Sequence, residues 1–495
     1  MQELTRVIGV LVTKLNSADL VNISVNSNSK ECIFIQNISN GTYKSDIEAS
    51  KDLYKAGPND VRYKMLKHRV RKRLYQLLLS VELSKTKLRH VFQKEQECVR
   101  LLDHAQLLLR LAEYDLVLSV CSKVINLASK YGFNSLVLAA LELELASLTE
   151  KGASKLYFKS KKVYNEYSKV VSQEKEATSL FQFAKVTNKI SVKGRKDLYN
   201  TLSTYVERLE ELWKESGSYD CFNAYYKVSI LYYELAGNFD NIIKLTEESA
   251  ALVEQGIVNK DRFELKYNAY ILVYAHLRAK KFDNGLKYAD MYLCYFDPHS
   301  HNWFSFLENY FLLAVHANQY EISNTVLKQA QSNSFYNKLF DTAKERWKLY
   351  SAYLYFISPA AATLESFNYL DLVLSVTEYS KDKQGFNVAI LILQFMHFLR
   401  RGDAEALLYR IESLKKYILT HLKDSFSLRS KLFLKLLILT VTENFSVSSC
   451  RLKGEKHLRK LRETPIPGDA YAEIEIVPYE HLWEFILCDL EKMRA

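Results

Sequence analysis

Glycine and proline are scarce in this chain, with 14 and 6 among 495 residues, against ordinary usage of about 7% and 5%. So few backbone breakers imply long helices joined by short turns. Apolar runs are short as well: none reaches the roughly 18 residues that a membrane-spanning helix needs. Seven cysteines are scattered without a Cys-x-x-Cys pair, the pattern of buried free thiols in a reducing compartment. The opening segment, Met1-Gln2-Glu3-Leu4-Thr5-Arg6, leads an apolar stretch with no small-residue cleavage site after it, unlike a secretory signal. The expectation is a soluble, cytoplasmic protein with no membrane partner.

Motifs of chemistry are missing too. The chain has no glycine-rich phosphate loop, no Gly-x-Ser-x-Gly and no His-Glu-x-x-His. Its one close histidine pair, His299-Ser300-His301, lies beside Asp297 on a loop. Three such groups can ligate zinc, but a lone His-x-His is the ordinary accident of a loop. Acidic neighbours such as Glu142/Glu144, Glu210/Glu211 and Glu247/Glu248 fall on helices with Lys or Arg nearby. There side chains one or two residues apart diverge by about 100° or 200° and do not converge as an acid/base pair. No catalytic constellation, metal site or cofactor is implied, and the expectation is a protein that is not an enzyme.

What the chain does have is aromatic residues, 34 Tyr and 25 Phe, and a repeated turn. Ala236-Gly237-Asn238-Phe239, Ala279-Lys280-Lys281-Phe282 and Ala317-Asn318-Gln319-Tyr320 each set a small residue three before an aromatic. The aromatic recurs after 43 residues (239 to 282) and then after 38 (282 to 320). Apolar residues spaced i, i+3/i+4 follow each turn and stop at a breaker, as at Gly132, Gly256 and Asp297-Pro298. Tyr114 and Ala404 fall in the same phase. Weaker turns at Lys151-Gly152-Ala153, Lys193-Gly194-Arg195, Ser358-Pro359-Ala360-Ala361 and Glu443-Asn444-Phe445-Ser446 fill the gaps. A period of this size marks stacked helical hairpins. The predicted fold is therefore all-α: a right-handed α-solenoid of about nine helical hairpins with a period near 41 residues.

The small-x-x-aromatic turn, with Tyr232 or Leu313 seven residues before the anchor, resembles the tetratricopeptide-type solenoid. The period here is longer than that family's, which is about 34, and its closing proline has a counterpart only in Pro298. The resemblance implies a concave groove, lined by the first helix of each hairpin, that binds a peptide, a helix or a partner subunit. Tyr225, Tyr226, Tyr270 and Tyr274 are the partner-binding candidates, because they lie on the hairpin arms that precede the clearest turns.

The expected organisation is a small helical region over residues 1–60, a long basic helix over 61–94 leading into the solenoid over 95–465, and a capping segment over 466–495. In the first region Ser45-Asp46-Ile47-Glu48 reads as a capping box. On the basic helix Leu66, Val70, Leu74 and Leu77 share a face. Arg62, Lys67, Arg69, Arg71, Lys72 and Arg73 lie around it, and this distribution has two readings. One is a solvated face; the other is a row of phosphate contacts, making the protein a nucleic-acid-binding regulator with the solenoid as its sensing or dimerisation body. A second basic cluster, Arg451, Lys453, Lys456, Arg459, Lys460 and Arg462, reads as a solvated last-repeat helix. Beyond it Glu473-Ile474-Glu475-Ile476-Val477 alternates like a short strand before Pro478 and a final helix. The formal charge of +11 favours acidic partners or nucleic acid in general.

Overall fold

A computed structural model describes residues 1–14, 29–81, 88–188, 192–358, 386–422, 428–464 and 475–494. Among them are 21 α-helices and no strand. The chain divides into two compact units, Met1–Gln173 and Glu174–Ala495, and within each unit helices pack chiefly on their neighbours in sequence.

The first unit opens with α1 (Gln2–Gly9), α2 (Lys30–Ser39), α3 (Asp46–Tyr54) and α4 (Val61–Ser80). Leu66, Val70 and Leu74 of α4 are fully buried against Leu4, Ile8, Phe34 and Ile35, so the shared apolar face is its packing face. The capping box forms: Ser45 Oγ accepts from the Glu48 amide, and Glu48 reaches back to the Ser45 amide. Next come α5 (His90–Arg110), α6 (Tyr114–Tyr131) and α7 (Asn134–Glu150), closed around Cys98, Cys121, Val124 and Ala140, with the first half of α8 (Ser154–Thr187) against them.

The second unit continues through α9 (Val192–Ser216), α10 (Tyr219–Leu235), α11 (Phe239–Glu254), α12 (Leu265–Arg278) and α13 (Phe282–Leu293). It goes on through α14 (His301–His316), α15 (Tyr320–Ser332), α16 (Asp341–Ile357), α17 (Phe386–Arg400) and α18 (Ala404–His421). It ends with α19 (Leu428–Thr442), α20 (Val447–Glu463) and α21 (Tyr479–Arg494).

One turn geometry explains the repeated motif. Ala112, Gly152, Gly237, Lys280, Asn318 and Gly402, each two residues before the next helix, take left-handed φ between 58° and 69°. The following amide then bonds back across the helix end, as Asn238 N to Tyr233 O (2.8 Å), Lys281 N to His276 O (2.9 Å) and Gln319 N to Ala314 O (2.8 Å). This is the Schellman closure, which satisfies carbonyls that the helix leaves open. The turn at Asn444 and Phe445 closes the same way, with Phe445 N bonded to Thr440 O at 2.8 Å. Ala112 and Lys280 carry the penalty of a Cβ in this region. Ala112→Gly and Lys280→Gly are each expected to stabilise their unit by about 0.5–1 kcal/mol, after the greater unfolded-state entropy of glycine is counted. Thermal melting of the two variants checks this; a fall in melting temperature would show that the strain lies elsewhere.

The turn expected at Lys193-Gly194-Arg195 does not form, because Gly194 lies in the first turn of α9. Before it, α8 runs unbroken for 34 residues to Thr187, a segment with no glycine or proline to adopt the left-handed closure. Residues 359–361 of the expected turn at Ser358 lie outside the described residues, as do Glu473 and Ile474 of the expected strand. Glu475–Pro478 is non-helical and carries no strand pairing. Helix α21 packs on α17, α19 and α20, burying Trp483, Ile486, Leu487 and Leu490, with Tyr479 stacked parallel on Phe433 at 4.5 Å.

Candidate partner-binding face

In the second unit, helices α8, α10 and α12 border a groove of about 350 Å³. Its wall includes Phe181 and Lys185 from α8, Lys227, Leu231 and Glu234 from α10, and Tyr267 from α12. The Lys227 ammonium lies 5.9 Å from the Phe181 ring and 5.7 Å from the Tyr267 ring. Lys227 and Glu234 are seven residues apart, about 10 Å along the helix, with Ile230 and Leu231 between them. Along α10 the groove thus meets a cation, two apolar residues and an anion in that order, with Lys185 and Glu264 adding one further charge of each sign.

None of the four candidate tyrosines is among the residues that line the groove, and their exposures differ. Tyr226 is only 2% exposed; its hydroxyl donates to Asn268 Oδ1 at 2.7 Å, and Asn268 Nδ2 donates to Thr246 O at 3.2 Å. It is a core residue with no accessible face to offer. Tyr225 is half-buried and stacks on Trp213 at 5.6 Å, and burial pushes its hydroxyl up to about 12. Tyr274 donates to Glu234 at 2.9 Å, so it fixes the acidic end of the groove; burial raises its hydroxyl further. Tyr270 is half-buried and packs with Tyr274 among the α10–α12 core residues. Tyr267, which does line the groove, was not singled out from sequence. Its one distinguishing sign is that it lies seven residues before Tyr274 on one helix face.

The basic helix offers less free charge than its sequence promises. Arg62 pairs with Asp60 (2.9 Å), Lys67 with Asp46 (2.8 Å), Arg69 with Glu31 (2.8 Å), Arg71 with Glu3 (3.1 Å) and Arg73 with Glu31 (3.5 Å). Of the six candidates only Lys72 has no carboxylate partner among the described residues. These charges brace α4 against α1, α2 and α3. His299 and His301 also diverge: His299 stays beside Asp297 (3.8 Å), while His301 stacks on Phe340 at 4.8 Å. No group of three metal-ligating side chains occurs among the described residues.

A second cavity, of about 660 Å³, lies between the turns Lys280–Asn284 and His316–Asn318 and the segment Glu475–His481. Its floor contains an arginine that sequence reading passed over. Arg429, 2% exposed, donates through Nε and Nη2 to Glu475 and through Nη2 to Glu480 (2.9 Å). Its Nη1 donates to the carbonyls of Leu461 (2.6 Å) and Thr464 (2.8 Å) at the end of α20. His316 Nε2 donates to the Glu475 carbonyl at 2.8 Å, across 159 residues of sequence. The available signal was a lone Arg429 at the head of an apolar helix.

Set against known proteins, the chain matches no family model, no curated protein and no solved structure. No helix among the described residues is long and apolar enough to cross a membrane.

Proposed function

We propose that this protein is a non-enzymatic, cytoplasmic binding scaffold: a right-handed, tetratricopeptide-like solenoid whose first-helix face takes up a peptide or helix of a partner protein. The observation that carries this reading is the groove bordered by α8, α10 and α12. Three helices contribute to it, and its lining combines apolar side chains with two lysines and two glutamates. Those features match an amphipathic segment, whose apolar side chains anchor and whose polar groups set direction. The Tyr274–Glu234 hydrogen bond orders one end before any partner arrives, which lowers the entropy lost on binding.

Peptides selected from a random display library against the purified chain test the reading. Those that bind are expected to lose at least about tenfold in affinity to Leu231→Arg, which fills the floor with a charge, and less to Lys227→Ala. Selected peptides that bind both variants as they bind the natural chain would remove the groove from consideration.

A further inference from the structure

More than half of the net charge of +11 lies in one hairpin: residues 428–463 hold nine Lys or Arg against three Glu. Three of the nine are committed, Arg429 to Glu475 and Glu480, Arg451 to Glu484 and Glu491, and Lys453 to Glu443. The other six, Lys431, Lys435, Lys456, Arg459, Lys460 and Arg462, make no ion pair among the described residues, and all but half-buried Lys431 are exposed. This is the reverse of α4, where five of seven basic residues are neutralised by carboxylates of their own unit. Glu455 and Glu463 stand on α20 without pairing to any of the six.

We propose that the α19–α20 hairpin is a docking surface for the phosphate backbone of double-stranded nucleic acid. Lys456, Arg459 and Lys460 fall at i, i+3 and i+4, so they project from one side of α20. Lys435 of α19 extends the same patch, since it and Lys456 and Lys460 all surround His457. Burial foremost, and then these three ammonium groups, hold that imidazole below its usual value. A cluster of like charges kept together without counter-charges is repulsive in the free protein, and a polyanion relieves that repulsion.

The composition of the patch selects the kind of polyanion. Protein interfaces are depleted of lysine and enriched in aromatics at their centre, whereas surfaces for nucleic acid are strongly positive. Single-strand sites add aromatic platforms for base stacking. On this hairpin Phe433 is buried and Phe445 half-buried, which leaves backbone charge and not base stacking as the attraction. Attraction to backbone charge carries no sequence information, so binding is expected to be independent of sequence.

Fluorescence anisotropy of the full chain with a labelled 20-base-pair DNA duplex of mixed sequence tests this. With about four phosphates contacted, affinity is expected to fall roughly 100-fold between 50 and 200 mM salt. Lys456→Glu/Arg459→Glu/Lys460→Glu abolishes binding at the lower salt, and the corresponding Gln variant weakens it at least about tenfold. Lys64→Glu/Lys72→Glu, on α4, leaves it unchanged. Melting curves establish that each variant is folded. The proposal is overturned if the duplex does not bind at 50 mM salt or if the charge-reversed α20 binds as the natural chain does. It is equally overturned if polyglutamate at matched charge displaces the duplex as well as unlabelled DNA does, since the surface would then prefer no phosphate.

Discussion

Arg429→Met is expected to destabilise the Glu174–Ala495 unit by about 3–5 kcal/mol, the usual cost of removing one partner from a buried ion pair. The guanidinium is 2% exposed and bonds to two carboxylates and two carbonyls. Removing it leaves Glu475 facing the interior with its charge uncompensated and two carbonyls at the end of α20 without a donor. Methionine fills most of the volume, so the loss reports charge and hydrogen bonding and not a cavity. Arg429→Met/Glu475→Leu/Glu480→Leu removes the charges together and is expected to recover much of the loss. Hydrogen exchange locates the effect: protection should fall first in α21, which Arg429 ties to α20. A melting temperature within a degree of the natural chain would mean that the segment Glu475–Glu480 is held by its apolar contacts alone.

The parts of this fold that sequence makes legible are those decided locally. A turn needs a residue able to take left-handed φ and an apolar anchor beyond it, and both are visible at Ala236–Phe239, Ala279–Phe282 and Ala317–Tyr320. Gly194 misleads because a glycine in the first turn of a helix resembles a breaker, since its amide has no helical partner in either case. The run from Ser154 to Thr187 lacks any residue suited to a break, so α8 ends only a few residues before Gly194.

The candidate site was less legible, because its properties are settled by distant partners. Tyr226 and Tyr267 are equally plausible groove residues in sequence; packing against Asn268 buries the first, and the position of α8 exposes the second to a cavity. The basic helix α4 reads as a phosphate surface until Glu3, Glu31 and Asp46, from three other helices, are placed beside it. The hairpin α19–α20 has a similar composition, but only three of its nine basic residues find carboxylate partners among the described residues. Local pattern cannot separate the two, because ion pairing is a tertiary property.

Acid should destabilise the Glu174–Ala495 unit through the other anchor of the same C-terminal segment. His316 is buried, and its Nε2 donates to the Glu475 carbonyl at 2.8 Å, which assigns the proton of the neutral ring to Nε2 and leaves Nδ1 to be protonated. Burial first, with His481 and Lys280 adding to it, lowers its pKa from 6.5 to about 4, against a smaller opposing effect of the Glu475 carbonyl and Glu480. The unfolded chain therefore takes up a proton between pH 6.5 and 4 that the folded chain refuses. The stabilisation is complete above pH 6.5 and is lost as pH falls towards 4, amounting to about 3 kcal/mol. His316→Gln can keep a donor near the carbonyl but cannot titrate. Its stability is expected to be lower at pH 7 and flatter between pH 6.5 and 4 by close to one proton. Urea midpoints across that range measure both slopes. Parallel slopes would place the acid sensitivity in the other buried histidines, His276 among them, whose burial lowers its pKa in the same direction.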